Sequence, residues 1–137
     1  MRLLQRCTLA ITIVAVAGCT DITGTPLDLN YVAGTYVLES VTGRYAPVVG
    51  SMVLTGDGQA QRRVRYSPPV ADPAREYITL GRFSLPTANV IDFSLDEDCG
   101  EQICVWNIRA SREGERFTIR YPDPADGPDI VEVYHRR

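Results

Sequence analysis

From residue 31 onward, apolar and polar residues alternate in short runs. Phe117, Ile119 and Tyr121 fall on one side of a period of two, with Thr118 and Arg120 on the other. Trp106, Ile108 and Ala110 oppose Asn107 and Arg109, Ile91 and Phe93 oppose Asp92, and Val64 and Tyr66 oppose Arg63 and Arg65. That period belongs to strands with one buried face and one wet face. No stretch of the body carries an apolar period of 3.6. The runs are rich in Val, Ile, Tyr, Phe and Thr and are separated by turn residues.

Eight strands are predicted: Gly34–Val41, Ser51–Thr55, Ala60–Tyr66, Tyr77–Leu85, Val90–Leu95, Ile103–Ala110, Arg116–Tyr121 and Ile130–His135. Asp57-Gly58 and Glu113-Gly114 mark tight hairpin turns, where Gly accepts positive φ. Pro68, Pro69 and Pro73 cannot donate to a ladder, so a loop is expected there. Pro86 is expected to end the fourth strand, with Thr87, Ala88 and Asn89 turning the chain. One flat sheet of eight such strands would leave an apolar face in water, so the sheet must close or fold over. The fold class is therefore all-β: an antiparallel, eight-stranded, up-and-down barrel over residues 31–137.

The first residues follow another logic. Arg2 and Arg6 precede an apolar stretch from Thr8 to Gly18. It is shorter than the ~20 residues a spanning helix needs and suits a secretory signal peptide over residues 1–18. Val16-Ala17-Gly18-Cys19 resembles the bacterial lipobox, in which the cysteine becomes a lipidated N-terminus. The resemblance implies lipidation at Cys19, a tether over residues 19–30 (TDITGTPLDLN following the cysteine), and a bacterial cell-envelope location. Thr20, not Asp, follows the cysteine, which favours the outer membrane, facing the periplasm. Acyl chains would be the membrane contact.

The body resembles small bacterial lipoproteins with lipocalin-like domains. The carrying residues are VAGTYVLESVTGRYAPV from Val32, GSMVLTGDGQ from Gly50, GRFSLPTANVIDF from Gly81 and the terminal VYHRR. Gly34, Thr35 and Tyr36 match the family's opening. Asp57 and Gly58 match its first hairpin, and Gly81, Phe83, Asn89, Ile91 and Phe93 its second. Pro86-Thr87-Ala88 stands where the family usually has a single residue. The resemblance implies a barrel and brings no catalytic residues with it.

Composition narrows the chemistry. All fourteen basic residues are arginines, and His135 is the one histidine, so histidine-based metal centres and His-driven catalysis are not expected. Removing Arg2 and Arg6 leaves twelve basic against seventeen acidic residues, a net charge of -5, which does not suggest nucleic acid. No nucleophile-elbow, P-loop or dinucleotide motif occurs. No cofactor and no metal are expected. Cys99 and Cys104 sit at the mouth of a hairpin and are expected to pair at facing positions in an oxidising envelope. Asp96, Glu97, Asp98 and Glu101 read as a solvated, charged loop tip, and Asp123, Asp126 and Asp129 as a second acidic loop.

Two sets of side chains have alternative readings. Arg62, Arg63 and Arg65, with Arg82, Arg109 and Arg120, form a basic set. Alternation puts Arg63 and Arg65 on the outer face, and the set either grips phosphate or carboxylate groups, of lipid headgroups or an acidic partner, or makes cross-strand ion pairs there with Asp92 and Glu132. Trp106 and the tyrosines at 31, 36, 45, 66, 77, 121 and 134 either line a ligand cavity or fill a small barrel. The candidate ligand contacts are Tyr36, Tyr66, Phe83, Phe93, Trp106 and Phe117. The expected function is a non-enzymatic, lipid-anchored module that binds a small apolar ligand or an envelope protein. The rival readings are a barrel resembling periplasmic protease inhibitors, or a structural envelope lipoprotein.

Overall fold

The computed structural model describes residues 27–68, 70–98 and 102–137. The signal peptide, Cys19, most of the tether, Cys99 and Glu101 lie outside the described residues.

Eight antiparallel strands close into a barrel in sequence order. They are β1 (Gly34–Thr42), β2 (Val49–Leu54), β3 (Gln59–Arg65), β4 (Tyr77–Thr87), β5 (Val90–Asp98), β6 (Ile103–Glu113), β7 (Arg116–Tyr121) and β8 (Ile130–Arg136). Pairing of β1 with β8, from Tyr36 opposite Arg136 to Thr42 opposite Val131, closes the cylinder and removes both sheet edges. A register shift between Leu38 and Ser40 bends β1 at this seam. This is the all-β, up-and-down barrel expected from the alternation.

Two expectations need correction. Pro86 does not end β4. The strand continues to Thr87 through a register irregularity between Ser84 and Thr87. A strand tolerates proline where no ladder hydrogen bond is required, and a bulge creates such a position. Asp96 and Glu97 are not a loop tip either. β5 runs to Asp98, with Asp96 opposite Val105 and Glu97 opposite Cys104. Asp96 faces outward and Glu97 lies in the open mouth of the barrel, and a solvated carboxylate costs a strand little, so charge alone did not mark the strand's end.

The two barrel ends differ. At one end the turns are tight: Asp57-Gly58, with Gly58 at φ 84, Ala88-Asn89, and Gly114 at φ 59. At the other end lie the loops 43–48, 66–76, 99–102 and 122–129. A 3-10 turn, Leu29–Tyr31, caps the tight end. Asp28 starts it by accepting from the Asn30 N–H at 2.9 Å. Leu29 packs on the core and Val32 is fully buried. The Tyr36 hydroxyl donates to the Val32 carbonyl at 2.8 Å, and Arg136 Nη2 donates to the Ala33 carbonyl at 2.6 Å. The end of the segment read as tether is thus part of the folded body.

The inward positions of every strand meet in one core that includes Tyr36, Met52, Leu54, Phe83, Ile91, Phe93, Leu95, Phe117, Ile119 and Tyr134. Each fully buried large side chain contributes about 1.5–3 kcal/mol. Gly81, an inward position of β4, is needed for closure: a Cβ there would lie 2.1 Å from the Ser94 carbonyl oxygen and 2.7 Å from the Leu95 Cα. Both are backbone atoms and cannot swing away. Gly81→Ala is therefore expected to cost about 1–3 kcal/mol, as overpacking does. Urea unfolding midpoints would show it, and an unchanged midpoint would mean that β4 and β5 do not approach this closely.

Candidate functional site

The six residues proposed for ligand contact fall into two groups. Tyr36, Phe83, Phe93 and Phe117 are buried and touch one another. Ring centroids lie 4.8 Å apart for Tyr36–Phe117, 5.7 Å for Phe93–Phe117 and 6.4 Å for Phe83–Phe93. Phe117 also stacks on Tyr134 at 5.1 Å. Such pairs contribute about 0.5–1.5 kcal/mol beyond area burial. These rings occupy the half of the barrel nearer the capped end, and they pack it against itself. Tyr66 and Trp106 are half-buried and lie towards the loop end, in a different chemical setting.

That setting is a buried polar layer. Arg62 on β3 and Glu132 on β8 both point inward and meet across the lumen. Arg62 Nη2 lies 2.5 Å from Glu132 Oε1, and the side chains are only 4% and 0% exposed. The Tyr121 hydroxyl donates to the same carboxylate oxygen at 2.5 Å, and the Tyr134 hydroxyl donates to Oε2 at 2.7 Å. Glu132 therefore accepts three hydrogen bonds. The Trp106 ring covers the Arg62 guanidinium at 5.4 Å and meets Tyr121 edge-on at 5.0 Å. Burial works against the Arg62 charge. The acidic groups around it, Tyr134 and Glu132 first, outweigh burial and hold the guanidinium protonated. Burial, reinforced by the Glu132 charge, pushes both Tyr121 and Tyr134 above the usual phenol range. Among the described residues, Arg62 Nε is buried without a hydrogen-bond partner.

Arg62 also lines a cavity of about 300 Å³ at the loop end. Tyr66, Tyr77, Thr79, Arg75 and Glu97 share its lining, with Val70 and Ala71 from the 66–76 loop. Tyr66 and Tyr77 meet edge-on at 5.5 Å, and the Arg75 guanidinium lies 4.6 Å over the Tyr77 ring. β3, β4 and β5 bring these groups together because Arg62 faces Thr79 in the register and Glu97 projects inward beside it. A second concavity, about 600 Å³, lies on the outer face over Arg82, Ser84, Asp92, Ser94, Asn107 and Arg109. It is a shallow surface depression, unlike the mouth cavity.

The arginine set splits likewise. Arg109 makes the expected cross-strand pair with Asp92, bidentate at 2.7 Å for each bond. The Asp92 carboxyl is held below its usual range chiefly by that hydrogen bond. Arg63 pairs with Glu76 at 3.4 Å and Arg120 with Asp129 at 3.8 Å. Pairs as exposed as these add little to stability. Glu132 is the correction. It was expected on the outer face and is instead fully buried, because β8 places Ile130, Glu132 and Tyr134 on the same inward side. The alternation of β8 was the signal that could have found it. Parity also places Arg62 inward, in phase with Ala60 and Val64.

Glu97, not Cys99, stands opposite Cys104 in the register, so the cysteines are not facing positions of the ladder. Cys104 is not a free thiol. No group of His, Cys, Asp and Glu side chains suited to hold a metal ion occurs among the described residues. Compared with protein-family models and with curated proteins, the chain matches none.

The buried pair generates a prediction. Arg62→Met would strand the Glu132 carboxylate in the interior and is expected to cost about 3–5 kcal/mol, whereas Arg62→Met with Glu132→Leu should recover most of that loss. Chemical denaturation of the two variants measures both. Additive losses would show that the two side chains do not interact across the lumen.

Proposed function

We propose that this protein is a non-enzymatic binding module of the bacterial cell envelope, anchored through acyl chains on Cys19, which takes a small ligand at the loop end of its barrel. One observation carries the reading. The aromatic half of the interior is packed shut, while the loop end holds a cavity lined by Arg62, Tyr66, Arg75, Tyr77, Thr79 and Glu97. Concave sites with a few placed polar groups are the usual form of small-ligand sites. The hydroxyls and carboxylate behind the cavity are engaged with one another, which suits recognition better than proton transfer.

The chain's course supports an orientation. Residue 27 enters at the capped end, and the eight residues from Cys19 to position 26 reach at most about 28 Å when extended. The capped end would therefore face the membrane and the mouth would face away from it. At the rim of that mouth a disulfide between Cys99 and Cys104 would tie the β5–β6 hairpin. Its short loop makes it worth about 2 kcal/mol in the chain-entropy description.

A protein partner is the second reading, and it has its own observation. Ile78 and Leu80 on β4 and Ile103 and Val105 on β6 project outward near the mouth on either side of β5, with Asp96 between Leu80 and Val105, and are 51%, 54%, 75% and 58% exposed. Grouped exposed aliphatics mark interaction surfaces. The protease-inhibitor reading is weaker, since the segment that would enter a protease is here packed onto the barrel at Leu29 and Val32.

The test is native mass spectrometry of the full chain, purified in mild detergent from its own envelope. The expected spectrum shows the acylated mass plus a small adduct that denaturation releases. Cys19→Ala should lose the acyl mass and move to the aqueous phase on detergent partitioning. A bare polypeptide mass without adduct would overturn the ligand reading, and detergent partitioning unchanged in Cys19→Ala would overturn the anchor.

A further inference from the structure

We infer that the mouth cavity takes a small zwitterion, an α-amino acid with an apolar side chain, with its carboxylate at Arg75, its ammonium at Glu97 and its side chain against Tyr66 and Val70. The inference rests on the ligand-binding reading above and names the ligand's class.

Three charged side chains line the cavity: Arg62, Arg75 and Glu97. Arg62 is engaged, since Glu132 meets it across the lumen. Arg75 and Glu97 remain, and both are exposed. Among the described residues neither forms an ion pair, with the other or with a third group. The lining is therefore neutral overall but carries one free charge of each sign. A lone anion that meets Arg75 is repelled by Glu97, and a lone cation that meets Glu97 is repelled by Arg75. A molecule with both charges meets an opposite charge at each point, and such complementarity gives specificity.

The two charges stand on different supports. Glu97 is on β5, one position beyond the Leu80–Asp96 pair and so beside Thr79, whose hydroxyl adds an acceptor for an ammonium. Arg75 is in the 66–76 loop, with its guanidinium 4.6 Å over the Tyr77 ring. That contact places the group and leaves its N–H donors for a carboxylate, which a guanidinium fork matches. Size and walls supply the remainder. About 300 Å³ is at the lower end for ligand sites, which suits a single amino acid better than a peptide. Tyr66, edge-on to Tyr77 at 5.5 Å, and Val70 offer ring and aliphatic surface to an apolar side chain.

Calorimetric titration of the full chain, in detergent and freed of co-purified ligand, tests this with three compounds. L-phenylalanine carries both charges, 3-phenylpropionate lacks the ammonium and 2-phenylethylamine lacks the carboxylate. L-phenylalanine should bind saturably and about tenfold tighter than either analogue, the scale of one charge-assisted hydrogen bond. Arg75→Ala should weaken L-phenylalanine about tenfold without weakening 2-phenylethylamine. Glu97→Gln should weaken it about tenfold without weakening 3-phenylpropionate. An analogue that binds as tightly as L-phenylalanine, or L-phenylalanine binding untouched by either substitution, would overturn the zwitterion assignment while the ligand-binding reading stands. If none of the three binds, the assignment falls. A releasable adduct on the native protein would then still support the ligand-binding reading, and a bare native mass would end both.

Discussion

A guanidinium enclosed in a barrel must be met by a carboxylate, and here the carboxylate comes from the opposite wall. Arg62 on β3 and Glu132 on β8 are far apart in sequence and 2.5 Å apart in space. Neither is tolerable alone, because an unpaired buried charge costs several kcal/mol. The pair fixes what may stand around it. Tyr121 and Tyr134 turn their hydroxyls to Glu132, and the Trp106 ring lies over Arg62. Buried pairs of this kind often contribute less to stability than well-packed apolar residues would.

The polar layer divides the interior by chemistry. On the capped side Tyr36, Phe83, Phe93 and Phe117 fill the lumen at ring-to-ring distances of 4.8–6.4 Å. A small eight-stranded barrel has just enough width for its own side chains, so no ligand space is left there. On the loop side Tyr66, Tyr77 and Arg75 line a cavity of about 300 Å³. The short turns and the 3-10 cap belong to the closed side, and the variable-length loops to the side where recognition is proposed. Loops held on a rigid frame are where binding residues are usually found.

Much of this was legible in the residues. The alternation in Phe117-Thr118-Ile119-Arg120-Tyr121 and the glycines of the tight turns were enough to place eight strands and require closure. Local rules failed where tertiary context overrode them. Pro86 reads as a stop, yet a register irregularity absorbs it within β4. Asp96 to Asp98 read as a loop, yet the ladder with Val105, Cys104 and Ile103 carries β5 through them. The polar site was half legible. Tyr66 and Trp106 stood among the aromatic candidates, and Arg62 in the basic cluster. Glu132 was assigned outward because a charged residue is rarely fully buried. Strict parity in β3 and β8 sends Arg62 and Glu132 inward together, and two opposite charges on one inner surface are a signal for a cross-lumen pair. Arg75 and the cavity could not be read, since the course of the 66–76 loop is set by packing rather than by pattern.

The central claim is that one arginine crosses the lumen beneath the tryptophan. Proton NMR with 15N-labelled arginine tests it most directly, through the Nε–H signals and their exchange with water. The account predicts an arginine Nε–H strongly protected from exchange and in nuclear Overhauser contact with the Trp106 ring, and loss of that signal in Arg62→Met with Glu132→Leu. If every arginine Nε–H exchanges at the rate of an exposed side chain and none contacts the indole, Arg62 is not buried across the lumen and the account is wrong.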